Sequence, residues 1–227
     1  MKDACKIFPL GDSALTLDLG SKISTRLNEK VIALSAYLDS HPFPGFIESV
    51  PAYSSITVYY DLITVRRNFP DFVSAFEAAK HIVESRFAAV KTKPSKKTRT
   101  IEIPVKFDSN AGPDLEFVAQ QSGFDTKEVV RIFTGSTYRV FMLGFLPGFS
   151  YLGEVDERIA TPRHDSPRIS VPKGSVGIAG KQTGIYSLES PGGWQIIGRT
   201  ETELFSPKKQ KPCLLAPGDE VRFVSVQ

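Results

Sequence analysis

Between residues 144 and 218 the chain carries 11 of its 17 glycines and 8 of its 16 prolines. Proline removes a backbone donor and clashes with the preceding helical turn, and glycine is costly to order, so no helix of any length survives that punctuation. Short β-rich runs fill the gaps at Arg168–Val171, 176–179 and 195–198. The stretch reads as short strands and tight turns closing into a barrel or sandwich. Pro217, Gly218 and Asp219 then turn the chain into a last strand, Glu220–Val226.

That region is too small for the whole chain of 227 residues, in which 41% are hydrophobic and 23% charged, the composition of a folded globular protein and not of a disordered one. A chain this long buries roughly 70% of its unfolded surface and needs neither disulfides nor metals for stability. A domain boundary falls on residues 91–100. There Lys91, Lys93, Lys96, Lys97 and Arg99 occur with no acid, Pro94 interrupts, and no periodicity survives, as in an exposed linker. The alternative is a basic arm for an acidic partner. The net charge is +3, so without these five cations the remainder is 3 − 5 = −2, and no basic face is left for nucleic acid. The expected domains are 1–90 and 101–227.

In the first domain, residues 13–19 and Ser55–Tyr60 alternate apolar and polar with period two, as half-buried strands do. Ile23, Leu27, Val31, Leu34 and Leu38 line one helix face, and Phe72, Phe76, Ala79, Val83 and Phe87 another. Ser21 is the expected cap of the first helix, and Pro70 is placed in the first turn of the second. Strands followed by a helix, twice, predict one sheet covered on one face, a ferredoxin-like or similar α+β sandwich. In the second domain, 101–107 reads as a strand. Residues 113–122 and 126–133 read as helices, with Gly123 as a stop and Asp125 with Glu128 as a capping box.

Several chemistries are excluded by what is missing. Cys5 and Cys213 lie far apart, and His41, His81 and His164 are scattered, so neither zinc nor a disulfide framework is indicated. Residues 1–4 lead into no signal-like apolar run, and the most apolar stretch, 140–146, stops at Pro147, which makes the cytoplasm the expected location and argues against a membrane role. The glycine-rich run 174–184 lacks a phosphate loop's pattern, because Ser175 and Gln182 stand where a glycine and a hydroxyl residue are required. It reads as a hairpin. Residues 148–150 begin like a nucleophile elbow, but Leu152 replaces the closing glycine. His164, in a proline-rich turn, reads as solvated. Residues 115–132 have helix-turn-helix spacing, yet the second helix offers only Lys127 and Arg131, offset by Glu128, so packing on the barrel is the better reading.

What remains is a constellation in four blocks: LGFLPGFSYLG at 143–153, TPRHDSPRISVP at 161–172, GKQTGIY at 180–186 and SPGGWQIIGR at 190–199. Arg163, Arg168 and Arg199 are permanent cations with forked donors suited to carboxylate or phosphate. Lys181, Gln182, Thr183 and Tyr186 add further donors and hydrogen-bond groups, and Phe145, Phe149 and Trp194 offer an apolar wall or a partner contact. The expectation is that the three guanidinium groups converge on one anion, with Arg163, Arg168, Gln182 and Arg199 catalytic. The alternative is that the arginines brace loops through carbonyls.

These blocks, together with PLGDSA at 9–14, VPAYS at 50–54, GPDLE at 112–116 and PGD at 217–219, resemble the family of 5-oxoprolinase B subunits, also described as allophanate hydrolase subunit 1 or the KipI type of kinase inhibitor. The resemblance runs over nearly the whole chain. It implies an N-terminal α+β domain and a cyclophilin-like barrel. It also implies ATP-dependent opening of 5-oxoproline to glutamate, with ATP and magnesium as co-substrate and no tightly bound cofactor or metal. The implied partners are the C subunit of 5-oxoprolinase, of the KipA or allophanate hydrolase subunit 2 type, and the A subunit, with this chain inactive alone. Two further activities occur among relatives: inhibition of a sensor histidine kinase, and the carboxyl transfer of urea carboxylase. The chain departs from the family at KFDS, residues 106–109, at Phe133, where a histidine is expected, and at Ser187 and Glu201, where prolines are common.

Overall fold

The computed structural model describes residues 5–90 and 98–226, and the chain divides into two compact units, Met1–Lys96 and Lys97–Gln227. Residues 1–4 and most of the expected linker, 91–97, lie outside the described residues. The end of that expected linker is structured: Arg99 Nε donates to Asp219 Oδ1 at 3.1 Å, and Thr100 already opens a strand.

In the first unit, β1 (Lys6–Pro9), β2 (Ala14–Asp18), β3 (Phe46–Pro51) and β4 (Ser55–Tyr60) form one antiparallel sheet in the order β1-β2-β4-β3. The period-two residues Leu15, Leu17, Ile56, Val58 and Tyr60 bury themselves against α1 (Thr25–Ser40) and α3 (Ala75–Ala89) in a single core with Val31, Leu34, Ala79 and Val83. The α+β layering is as read. The ferredoxin-like order is not what the chain adopts, because each helical segment follows a two-stranded hairpin, whereas that motif runs strand, helix, strand, strand, helix, strand.

Two boundaries also differ. The first helix begins after Ser24, in extended backbone, and not after Ser21. Residues 62–68 form a separate short helix, α2 (Leu62–Asn68), capped by Asp61, whose carboxylate accepts from Thr64 N at 2.7 Å. Pro70 therefore lies between α2 and α3, and α3 is capped by Ser74, accepting from Glu77 N at 3.1 Å. A hydroxyl beside an orphan N–H decides where the helix starts, and the upstream proline does not.

In the second unit seven strands close a barrel: β5 (Thr100–Lys106), β6 (Thr137–Leu143), β7 (Ser150–Gly153), β9 (Ser175–Ala179), β10 (Gln182–Ile185), β12 (Gln195–Arg199) and β13 (Glu220–Val226), in the order β10-β7-β6-β13-β5-β12-β9. β13 runs parallel to β5 and all the other neighbours are antiparallel. A separate ribbon pairs β8 (Arg168–Val171) with β11 (Ser190–Gly192). Between β5 and β6, α4 (Leu115–Ser122) and α5 (Thr126–Thr134) pack on the barrel through Val118, Ala119, Val129, Ile132 and Phe133. Gly123, at φ 72°, ends α4, and Asp125 caps α5 by accepting from Glu128 N at 2.7 Å. With these apolar faces turned inward, the pair is a packed helical cover and not an exposed recognition element.

Candidate functional site

Strand alternation gives the barrel two faces with different work. Val176, Ile178, Ile185 and Ile197 point into the main core, while Trp194, Ile196 and Tyr186 point outward into a small second cluster with Phe149, Val171 and Ala179. Phe149 is its centre. Its ring meets Phe145, Tyr151, Tyr186 and Trp194 edge to face, at centroid distances of 5.5, 4.9, 5.2 and 5.6 Å, the arrangement favoured by aromatic quadrupoles. Two glycines make room. A Cβ on Gly184 would lie 3.0 Å from both Phe149 Cζ and Trp194 Cζ3, and one on Gly192 would lie 2.2 Å from the Tyr186 hydroxyl.

Above this platform opens a cavity of about 300 Å³, lined by Phe145, Phe149, Tyr151, Arg163, Tyr186 and Trp194 together with Pro167 and the 191–193 turn. Arg163 holds its guanidinium carbon 5.7 Å above the Trp194 ring and has no carboxylate within ion-pair distance among the described residues. Phe145 is 61% exposed at the rim, with φ at 67°. Burial pushes the phenols of Tyr151 and Tyr186 upward, partly offset at Tyr186 by the Trp194 backbone N–H and at both by Arg163. Both remain neutral hydrogen-bond groups near neutral pH and are poor bases. The cavity thus offers aromatic walls, one cation and phenol groups, a combination suited to a small flat ring bearing one negative charge.

Of the other expected site residues, Arg168 lies near enough to Tyr186 to act on its phenol but is turned to Asp114, and Arg199 lies apart, so the three guanidinium groups do not converge. Arg168 is engaged: its NH2 donates to Asp114 Oδ1 at 2.5 Å and its NH1 lies 2.7 Å from His164 Nε2. Arg199 is at the far end of β12 from Trp194, five residues or roughly 16 Å of strand away, and lines a different cavity. Lys181 pairs with Glu157 at the surface. Gln182 sits on β10 opposite Ala179 and Gly153, and the buried Thr183 donates to Gly177 O at 2.8 Å, a bond internal to the hairpin. Ser150 is buried. Strand geometry explains the mismatch: residues adjacent in one block can lie at opposite ends of a strand or on opposite faces.

Sequence reading missed Asp114, and it misjudged His164. Asp114 is 5% exposed and joins three segments. Its Oδ1 takes Arg168, its Oδ2 accepts the Ile196 N–H at 2.6 Å and lies 3.3 Å from His164 Nε2, and its own N–H donates to Ile196 O at 2.9 Å. His164 Nε2 thus lies between the Arg168 guanidinium and the Asp114 carboxylate. His164 is therefore a member of a half-buried network. The only local signal was the GPDLE block, which marks Asp114 without revealing its partners 54 and 82 positions away. Among the described residues no group of three His, Cys, Asp or Glu side chains is arranged for a metal ion, and no helix is long and apolar enough to cross a membrane.

Comparison with known proteins bears on this geometry. Residues 5–215 match the family model "Carboxyltransferase domain, subdomain C and D". The chain is 47% identical over 222 residues to the B subunit of 5-oxoprolinase from Bacillus subtilis (strain 168), covering 97% of this chain and 92% of that protein. It is 39% identical to the B subunit of 5-oxoprolinase from Escherichia coli O157:H7, covering 96% and 95%. Among solved structures it superposes on TTHA0988 with a TM-score of 0.80 and 34% identity, over 94% of this chain but only 40% of that longer one. With two relatives above 30% identity aligned from end to end, and a family model spanning both units, this chain belongs to the family of 5-oxoprolinase B subunits.

Proposed function

We propose that this chain is the B subunit of an ATP-dependent 5-oxoprolinase and that its aromatic cavity receives 5-oxo-L-proline. One observation carries the reading: a cavity of about 300 Å³ with rings on its walls and a carboxylate-free guanidinium above one of them. A five-membered lactam is flat enough to stack on Trp194, its carboxylate fits the fork of Arg163, and its ring N–H and carbonyl can meet Tyr151 or Tyr186. The barrel supplying this site we read as cyclophilin-like in architecture only, since activity follows from the site and not from the fold.

The lactam is an unstrained amide. Phosphorylation of its carbonyl oxygen by ATP, releasing ADP, would make the carbon electrophilic; water then adds, the C–N bond breaks, and glutamate and phosphate leave. Such a step needs several cations around the phosphoryl group and a base for water. Among the described residues lining this cavity only Arg163 is a cation, and the nearby phenols are neutral. The missing groups would come from the A and C subunits, with the exposed Phe145 at the rim of the junction, so the chain alone is expected to bind substrate without turning it over.

The test is ATP-dependent glutamate release by the chain mixed with the A and C subunits. Arg163→Ala should lower kcat/KM for 5-oxoproline by at least ~10-fold, mainly through KM, as loss of a charge-assisted contact implies. Turnover unchanged by this substitution would overturn the assignment. A second reading rests on the matched carboxyltransferase description: carboxyl transfer to a urea-like acceptor. It requires a biotin-bearing partner, and glutamate release without biotin excludes it.

A further inference from the structure

At the Arg199 end of β12 a second cavity, of about 520 Å³, opens between the loop after β5, Lys173 and residues 199–202. Lys106, Lys173 and Arg199 bring three positive charges to it, against the carboxylates of Asp108 and Glu201. Neither acid neutralises the cluster closely. Asp108 Oδ1 is turned into its own loop, accepting the backbone N–H groups of Asn110 and Ala111 at 2.9 Å each. Glu201, 90% exposed, stands 3.8 Å from Lys106 Nζ, a loose pair worth little in water.

Arg199, in contrast, is held and open. Arg199 Nε donates to Lys173 O at 3.2 Å, which orients the guanidinium, and its two terminal nitrogens have no acceptor among the described residues. Lys173 forms no ion pair among the described residues, because the nearby Glu203 is taken by Lys209 at 2.7 Å. Thr202 Oγ1 accepts from Thr200 Oγ1 at 3.0 Å and so keeps its own proton to donate. Lys106 and Arg199 are also direct partners across the antiparallel β5–β12 pair. Like charges so placed destabilise a sheet, a cost that an anion between them would relieve. Among the described residues the lining has no aromatic one and only Ala111 as an apolar one, so it offers nothing to a ring or a peptide.

We propose that this cavity binds a phosphate group through Arg199, Lys173 and Lys106, independently of the aromatic cavity. The forked guanidinium, two ammonium groups and a hydroxyl match a tetrahedral, doubly charged oxyanion better than a flat carboxylate. The group arrives either as free phosphate or as the tail of a nucleotide.

Calorimetric titration of the full chain, with inorganic phosphate and separately with ATP, tests this. Saturable binding of at least one is expected, weakened at least ~10-fold by Arg199→Ala and strengthened by Glu201→Gln. Lys181→Ala removes the same charge from a surface pair with Glu157 and should leave the affinity unchanged. Binding of ATP that phosphate displaces identifies a nucleotide tail; binding of phosphate without ATP identifies the free ion. If neither titrates, or if Arg199→Ala and Lys181→Ala weaken binding equally, the effect is net charge alone and the site does not exist. Arg163→Ala should not alter phosphate binding, so failure of the 5-oxoproline reading is seen separately from failure of this one.

Discussion

Asp114 shows how much one residue can decide. Its carboxylate joins the N-terminus of α4 to β12 through Ile196 and, through Arg168 at the start of β8, to the preceding loop, which carries Arg163. By its contacts Arg168 braces this loop, through a carboxylate and not through a carbonyl. Asp114→Ala strands the buried Ile196 N–H and a half-buried guanidinium, which should destabilise the barrel unit by about 2 to 3 kcal/mol. Asp114→Asn keeps an oxygen for Ile196 and should lose about half of that. Trp194, the only tryptophan, lies in the barrel, so urea unfolding followed by its fluorescence reports this unit alone. Equal stability of Asp114→Ala and the parent chain would show that the network is ornamental. Neighbouring side chains gave no hint of this role, since every partner of the carboxylate is remote in sequence.

Among the elements, α5 is held by ring stacking. Phe133 is fully buried and lies 4.9 Å from Phe223 and 5.1 Å from Tyr138, centroid to centroid, with Phe107 edge-on at 6.1 Å. Where the resemblance leads to the expectation of a histidine, Phe133 fills the contact between helix and barrel with an apolar ring. Phe133→Ala should cost about 3 to 5 kcal/mol by cavity formation and loss of transfer energy, read by the same fluorescence transition; a change below about 1 kcal/mol would mean that the barrel collapses around the void. The helices themselves were legible, because Gly123 and the Asp125–Glu128 box are local signals whose chemistry needs no distant partner. The extra helix α2 was not read, as its seven residues show little periodicity, and one turn more or less is set by Asp61 alone.

Over the whole molecule, pH acts on the barrel through buried phenols. Burial pushes Tyr138 strongly upward, and Tyr151 and Tyr186 less so. A raised folded-state value favours the neutral phenol in the native state, whereas the unfolded chain ionises at about pH 10. The stabilisation is complete below that pH and is lost as pH climbs from there through the folded values. Urea midpoints measured on Trp194 should therefore fall from about pH 9 to about pH 11. Tyr138→Phe should flatten that slope, despite losing the 2.8 Å bond to Phe133 O. An identical slope in the variant would place the alkaline sensitivity elsewhere.

By itself the sequence determined the two textures of the chain, the strands that alternate and the helices with strong caps, because each depends on contacts within a few residues or on a period set by the backbone. Phe145, Phe149, Tyr186, Trp194 and Arg163 come together as glycine-shaped turns place them. Only the tertiary structure decided that Arg199 faces a second cavity, that Arg168 is committed to Asp114, and that the first sheet is built from two hairpins. Those outcomes depend on which strands become neighbours and on which face a residue emerges, and closing a seven-stranded barrel fixes both through pairings that no local segment contains.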